Sequence, residues 1–189
     1  FNVRKKKNMQ GKRIIANIIK DLIYDGDHII VDPSTTAVAI VKALREKKRL
    51  TIVTNSIEIL VELTDASGWD IISTGGTLKE NYLALVGTRA LEGISSFFAD
   101  KLILSCKGID MEKGITDANE MFSQVKRTML HSAKQKILAV DSTKFEKIAF
   151  SQICNISDLD MVVTDVRPSD AWMEYFKDKG ITCLYGEEN

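Results

Sequence analysis

The spacing of apolar residues along this chain changes in a regular way. From Gly11 to Ile23 they fall at Ile14, Ile18 and Leu22 and at Ile15, Ile19 and Ile23. These two rows of four-residue steps form one stripe on a helix. The spacing predicts an amphipathic helix ending at Asp25-Gly26. Ile29-Ile30-Val31 follows, too short for a helix and apolar on both faces, as a buried parallel strand is. Pro33-Ser34-Thr35-Thr36 can cap a second helix, with Val38, Val41 and Leu44 on one face and the charged stretch Arg45 to Arg49 at its end.

The same unit then recurs. Leu50 to Val53 is an apolar strand closing on Thr54-Asn55-Ser56, and Ile59, Leu60 and Leu63 continue as a helix. Asp70 to Ser73 predicts a third strand, leading into Thr74-Gly75-Gly76-Thr77, with less regular sequence as far as Gly87. A helix is expected from Thr88 to Phe98, a fourth strand at Leu102-Ile103-Leu104, and a long loop after it. Asn119 to Lys134 reads as a helix through Phe122, Val125, Met129 and Ala133, followed by the strand Ile137 to Val140. Met161 to Val163 and Ile181 to Leu184 complete the strands, with a helix from Ser169 to Lys179 between them. Apolar strands alternating with amphipathic helices imply right-handed crossovers and an α/β fold, a mainly parallel sheet with helices on both faces. Only Phe145 to Asp160 fits no part of this alternation, and a small subsidiary layer is expected there.

Composition narrows the picture. A chain of 189 residues, 44% hydrophobic, with only 2 prolines and 11 glycines, can bury a core as one domain. No apolar run approaches the ~20 residues of a membrane span, and the first residues lack the apolar segment of a signal peptide. A soluble, cytoplasmic protein with no membrane partner is expected. Seven of the 26 basic residues (Arg4, Lys5, Lys6, Lys7, Lys12, Arg13, Lys20) lie in the first 20 positions, which hold no acid. The other 169 residues therefore carry 19 basic against 26 acidic groups, which argues against a nucleic-acid surface on the body of the domain. Residues 1–10 are expected to be a basic linker and residues 11–189 the folded domain. Cys106, Cys154 and Cys183 are odd in number, widely spaced and helped only by His28 and His131, which disfavours both a disulfide framework and a structural zinc site.

In open parallel sheets, ligands bind beyond the carboxyl ends of the strands. Five polar loops begin where strands end: Asp32 to Thr36, Thr54 to Ser56, Thr74 to Thr77, Ser105 to Gly108 and Asp141 to Lys144. Helix N-termini with Ser and Thr hydroxyls suit a phosphate, Asp and Asn suit sugar hydroxyls, and a lysine adds charge. A polyol phosphate fits that set. The candidate residues are Asp32, Ser34, Thr35, Thr36, Thr54, Asn55, Gly75, Gly76, Lys107, Gly108, Lys126, Asp141 and Lys144. Each also has a plainer reading: Ser34 to Thr36, Asn55, Ser56 and Asp141 as caps, Gly75-Gly76 as a turn, Lys126 and Lys144 as solvated lysines. Neither a Gly-x-Gly-x-x-Gly after the first strand nor a Gly-Lys-Ser/Thr loop occurs, which excludes the usual dinucleotide and P-loop sites. No cofactor and no metal are expected.

The ordered set Ile29-Ile30-Val31-Asp32-Pro33-Ser34-Thr35-Thr36, Thr51-Ile52-Val53-Thr54-Asn55-Ser56, Thr74-Gly75-Gly76-Thr77-Leu78, Leu85-Val86-Gly87, Gly108-Ile109-Asp110, Gly114-Ile115-Thr116, Val125-Lys126-Arg127 and Val140-Asp141-Ser142-Thr143-Lys144-Phe145 resembles the C-terminal sensor domain of DeoR-type bacterial transcriptional repressors. The resemblance spans roughly Gly11 to Asp165. It implies a ribose phosphate isomerase-like domain that binds a phosphorylated sugar effector, forms a homo-oligomer (dimer or tetramer), and controls DNA binding by an N-terminal winged helix-turn-helix absent from this chain. The family's first loop commonly reads Asp-Ser-Gly-Thr-Thr; here Pro33 and Ser34 hold the middle positions. Pro33 has no N–H to offer a phosphate.

Two other readings stand beside the sensor. A sugar-phosphate isomerase on the same fold needs a general base, and related isomerases carry an Asp-Gly-Ala-Asp segment where this chain has Ser105-Cys106-Lys107-Gly108. Asp110, Glu112 and Asp117 lie nearby as substitutes, although a non-catalytic role is the expectation. The remaining reading is an interaction module without a ligand, whose polar loops are incidental.

Overall fold

The structure, a computed structural model, describes residues 7–186. Its helices are α1 (Met9–Leu22), α2 (Thr35–Ala43), α3 (Ile57–Glu62), α4 (Thr88–Ser95), α5 (Glu120–His131) and α6 (Asp170–Asp178). Its strands are β1 (His28–Val31), β2 (Thr51–Thr54), β3 (Asp70–Ser73), β4 (Thr77–Lys79), β5 (Ala84–Val86), β6 (Ala99–Leu104), β7 (Gly108–Asp110), β8 (Gly114–Asp117), β9 (Ala133–Ala139), β10 (Ser151–Cys154), β11 (Met161–Thr164) and β12 (Thr182–Tyr185).

Seven strands form one sheet in the order β12-β11-β9-β6-β1-β2-β3, with every neighbouring pair parallel. The chain builds outward from β1 through β2 to β3, then returns to lay β6 on the other side of β1. That reversal makes the junction of β1 and β6 the topological switch point, where loops after adjacent strands diverge and leave a crevice. Each strand alternates its apolar residues between two cores. Ile29, Val31, Ile52, Ile103, Ile137 and Val163 face α1, α2 and α3 through Ile15, Ile19, Val38, Val41 and Ile59. Ile30, Val53, Leu102, Leu104, Leu138 and Val162 face the other side, where α4, α5 and α6 bring Ile94, Phe122, Met129, Trp172 and Phe176. The expected α/β fold, with helices on both faces, is what the chain adopts.

The departures have local causes. The helix expected to run to Lys134 stops at His131, because Ala133 enters the sheet opposite Ala99 and pairing continues to Leu104–Leu138. The helix expected to reach Phe98 ends at Ser95, leaving Phe98 exposed before β6. The irregular stretch before Gly87 is a β4–β5 hairpin with one turn of 3₁₀ helix at Glu80–Tyr82. The long loop after β6 is also structured: β7 and β8 pair antiparallel, and β10 joins β8 in a three-stranded sheet. The subsidiary layer expected from Phe145 onward is therefore completed by residues assigned to that loop.

Helix α1 begins two residues before the expected start, so Met9 and Gln10 belong to it rather than to a linker. Of the rest of the proposed basic linker, Lys7 and Asn8 form a turn leading into α1, and residues 1–6 lie outside the described residues. Asn8 caps α1 in the left-handed region, at φ 49°, and its side chain accepts a hydrogen bond from the Gly11 amide. No helix among the described residues is long and apolar enough to cross a membrane.

Candidate functional site

Asp32 is the first residue beyond β1 and has no exposed surface. One carboxylate oxygen accepts from the Ser34 amide at 3.2 Å, the other from the Ser105 amide at 2.9 Å. The side chain thus stitches together the two loops that part at the switch point. A buried carboxylate with two amide donors still needs a counter-charge, and α5 supplies it. Lys126 places its Nζ 3.2 Å from Asp32, 2.5 Å from Asp117 at the end of β8, and 2.7 Å from the Ser105 carbonyl. Burial alone pushes the lysine pKa down; Asp117 and Asp32 outweigh it and raise the pKa above the ordinary value. For Asp117 burial pushes upward, and Lys126 overcomes it to hold the carboxyl below its ordinary range. Asp117 and Lys126 therefore both stay charged at neutral pH.

Above this triad a cleft opens. Its floor and one side come from Pro33, Ser34, Thr35 and Thr36, at the start of α2, and from Ser105, Cys106 and Lys107 after β6. Ser34 accepts from the Ala37 amide and so caps α2, while its own amide donates to Asp32. The amides of Thr35 and Thr36 belong to the first turn of the nine-residue helix, where no helical acceptor exists, and the helix dipole adds positive potential there. Opposite stand Asp141 and Lys144 from the loop after β9, with the ammonium 3.8 Å from the carboxylate. Tyr82 and Phe122 form an aromatic wall, ring centroids 4.2 Å apart, and Lys7 and Lys12 close the rim. The cavity at its centre is about 70 Å³, and the cleft is open to solvent.

Five lysines (Lys7, Lys12, Lys107, Lys126, Lys144) and a helix N-terminus therefore face this cleft, against Asp117 and Asp141 with Asp32 beneath. Positive charge is in excess. The Cys106 thiol is also in the wall, but burial pushes its pKa up to about 12, so it remains protonated. Among the described residues, no group of three or more His, Cys, Asp or Glu side chains is placed to hold a metal ion.

The candidate residues from the sequence divide into three sets. Ser34, Thr35, Thr36, Lys107, Asp141 and Lys144 converge on the cleft. Asp32 and Lys126 are near it but spend their charges on each other and on Asp117, so neither offers a free group to a ligand. The others lie elsewhere for structural reasons. The Thr54 hydroxyl donates to the Val31 carbonyl at 2.7 Å, tying β2 to β1, and the buried Asn55 amide donates to the Leu85 carbonyl at 2.8 Å. Gly75 and Gly76 are exposed turn residues with φ of 70° and 116°. Gly108 is small because a Cβ there would meet the Lys147 carbonyl oxygen at 2.1 Å. Lys7, Lys12, Tyr82, Ser105, Cys106, Asp117 and Phe122 complete the cleft without having been singled out for it. Ser105 and Cys106 lay within a loop already marked as polar, whereas Tyr82 and Phe122 arrive only through folding of the β4–β5 hairpin against α5.

Asp110 and Glu112, considered as replacement bases, sit at the β7–β8 turn. There the Asp110 carboxylate accepts from the amides of Glu112 and Lys113 at 2.9 and 2.8 Å. Asp117, the one nearby acid that reaches the cleft, is held by Lys126.

The parallel sheet, with a polar, cationic crevice at its switch point, has the α/β fold of ribose 5-phosphate isomerase. The fold appears in ribose 5-phosphate isomerase A of Methanocaldococcus jannaschii, with TM-score 0.52, 13% identity, 74% of this chain and 55% of that one covered. It appears also in eIF2B delta of Chaetomium thermophilum, with TM-score 0.58, 15% identity, 83% of this chain and 56% of that one covered. An enzyme and a translation factor share the fold, so the fold alone does not assign a function. The sequence is more specific. Residues 7–166 match the DeoR C terminal sensor domain, and the chain belongs to that family. It is 34% identical over 189 residues to the HTH-type transcriptional repressor GlcR of Bacillus subtilis (strain 168), covering 100% of this chain and 72% of that protein. The chain is thus the sensor domain of a transcription regulator family rather than an isomerase.

Proposed function

We propose that the cleft binds a phosphorylated sugar and that its occupancy is signalled to a DNA-binding module, as an effector domain does. The observation that carries this reading is the N-terminus of α2, Ser34 to Thr36, opening into a crevice that Lys107 and Lys144 share. Unpaired first-turn amides, hydroxyls and ammonium groups are the chemistry that recognises a phosphate. The phosphate lies against Thr35 and Thr36 with Lys144 across from it, while Asp141 and the aromatic wall take the sugar. Pro33 contributes no amide, so the phosphate is held by the two threonines rather than by the whole loop.

We further expect the protein to act in the cytoplasm as a homodimer or homotetramer. The exposed apolar side chains of Leu78, Met121 and Phe150, grouped along one groove, support self-association. Sedimentation velocity at micromolar concentration checks this; a monomer contradicts it.

The effector reading is tested by calorimetry. Thr35→Ala and Lys144→Ala are each expected to weaken sugar-phosphate binding by roughly 1 to 3 kcal/mol, the range for losing a hydrogen bond to a charged group. Unchanged affinity in both variants would show that the phosphate sits elsewhere.

A further inference from the structure

The cleft is not built from the sheet loops alone. Lys7 and Lys12, from the segment that starts α1, form part of its rim, and the Lys12 ammonium donates to the Lys7 carbonyl at 2.7 Å. The same segment is fastened from behind. Asn8 donates through its side-chain nitrogen to Asp165, beyond β11, at 3.0 Å. Asp165 in turn accepts from the Ser142 amide at 2.6 Å, and Ser142 starts the short helical turn that carries Lys144. Gly11 allows the approach: a Cβ there would stand 2.3 Å from the Asp165 carboxylate and 2.6 Å from the Asn8 side-chain nitrogen. One carboxylate therefore holds both the start of α1 and the loop that closes the cleft on the opposite side.

We infer that residues 7–12 are a binding element of the effector cleft and that an effector anion locks this segment onto the domain, through Lys12 in front and the Asn8–Asp165–Ser142 clamp behind. The inference rests on the sugar-phosphate reading and adds how occupancy reaches the start of α1. An anion bound at Lys144 reaches Lys12 as well only while the segment is docked. It therefore favours the docked state by the ratio of its affinities for the two states. The coupling is reciprocal: the factor by which the anion favours docking is the factor by which docking favours the anion.

The test uses the 189-residue chain with inorganic phosphate and glucose 6-phosphate, fructose 6-phosphate, fructose 1-phosphate and ribose 5-phosphate as probes. Affinity is measured by calorimetry and amide exchange is followed in the peptide covering residues 8–15. The tightest probe is expected to slow exchange in that peptide by about fivefold or more, the lower end of ordinary coupling. Asn8→Ala, which removes the clamp without touching the cleft, should speed exchange in the free protein, and saturation with the probe should slow it again by the same factor as in the unsubstituted chain. Lys12→Gln should bind more weakly and abolish the ligand-dependent slowing. Tight binding with unchanged exchange at residues 8–15, or a Lys12→Gln variant with undiminished affinity, overturns the inference and leaves the effector reading intact. Failure of every probe to bind, by contrast, removes both.

Discussion

Lys126 shows how a residue that looks like a ligand contact becomes part of the framework. On sequence it is a lysine near a polar loop; in the fold it is buried between two carboxylates. Replacing it with methionine leaves Asp32 and Asp117 without their cation and is expected to cost about 3 to 5 kcal/mol in denaturant unfolding. The pH dependence should also reverse. With Lys126 present, the Asp117 pKa is depressed, so its stabilisation exists above the unfolded value and is lost as pH falls through the folded one. Without Lys126, burial, the largest influence on Asp117, is opposed only by the Ala118 amide and Lys107; its pKa should rise, and the Lys126→Met protein should gain stability between pH 7 and 5, by about 1.4 kcal/mol per unit of upward shift. Equal pH slopes in the two proteins would contradict this. Gly11 is the second diagnostic residue. Glycine to alanine inside a helix ordinarily stabilises by about 1 kcal/mol; here the new methyl meets Asp165, so Gly11→Ala should lower the thermal midpoint instead of raising it. These two residues were illegible in the sequence for one reason: their roles depend on partners 9 to 154 positions away.

At the scale of elements, periodicity revealed much more. The third strand matches Asp70–Ser73, and the other main-sheet strands were anticipated to within a few residues, because parallel strands buried on both faces are continuous apolar runs. What escaped was the antiparallel material. Gly108–Asp110, Gly114–Asp117 and Ser151–Cys154 are short, and their pairing is nonlocal. Their layer matters to the site, since β8 ends at Asp117 and the loop after β9 is fixed by Phe145, which bridges to Ile109 and sets its ring edge-on to Trp172 at 5.1 Å. Phe145→Ala should therefore cost between about 1 and 3 kcal/mol of stability and also weaken sugar-phosphate binding through its neighbour Lys144. Phe176→Ala, in the same aromatic cluster but remote from the cleft, should cost about 3 to 5 kcal/mol and leave affinity unchanged under native conditions. If both variants retain full affinity, the aromatic cluster does not position Lys144.

For the molecule as a whole, the switch point between β1 and β6 decides where chemistry is possible, and the charge around it decides which. Polar residues at strand ends were legible as five loops, but only three of them, after β1, β6 and β9, meet at the cleft. The loops after β2 and β3 belong to strands on the far side of the reversal, so Asn55 and Gly75-Gly76 serve the fold instead. The central claim is that the cleft selects a phosphate-bearing sugar. Isothermal calorimetry of the 189-residue chain with matched pairs, each sugar phosphate beside its unphosphorylated sugar, tests it most directly. For at least one pair the phosphorylated member should bind about 100-fold or more tightly, ~2.7 kcal/mol, as expected from two charge-assisted contacts at Thr35 and Lys144. Equal affinities within every binding pair, or no binding by any sugar phosphate, would contradict it.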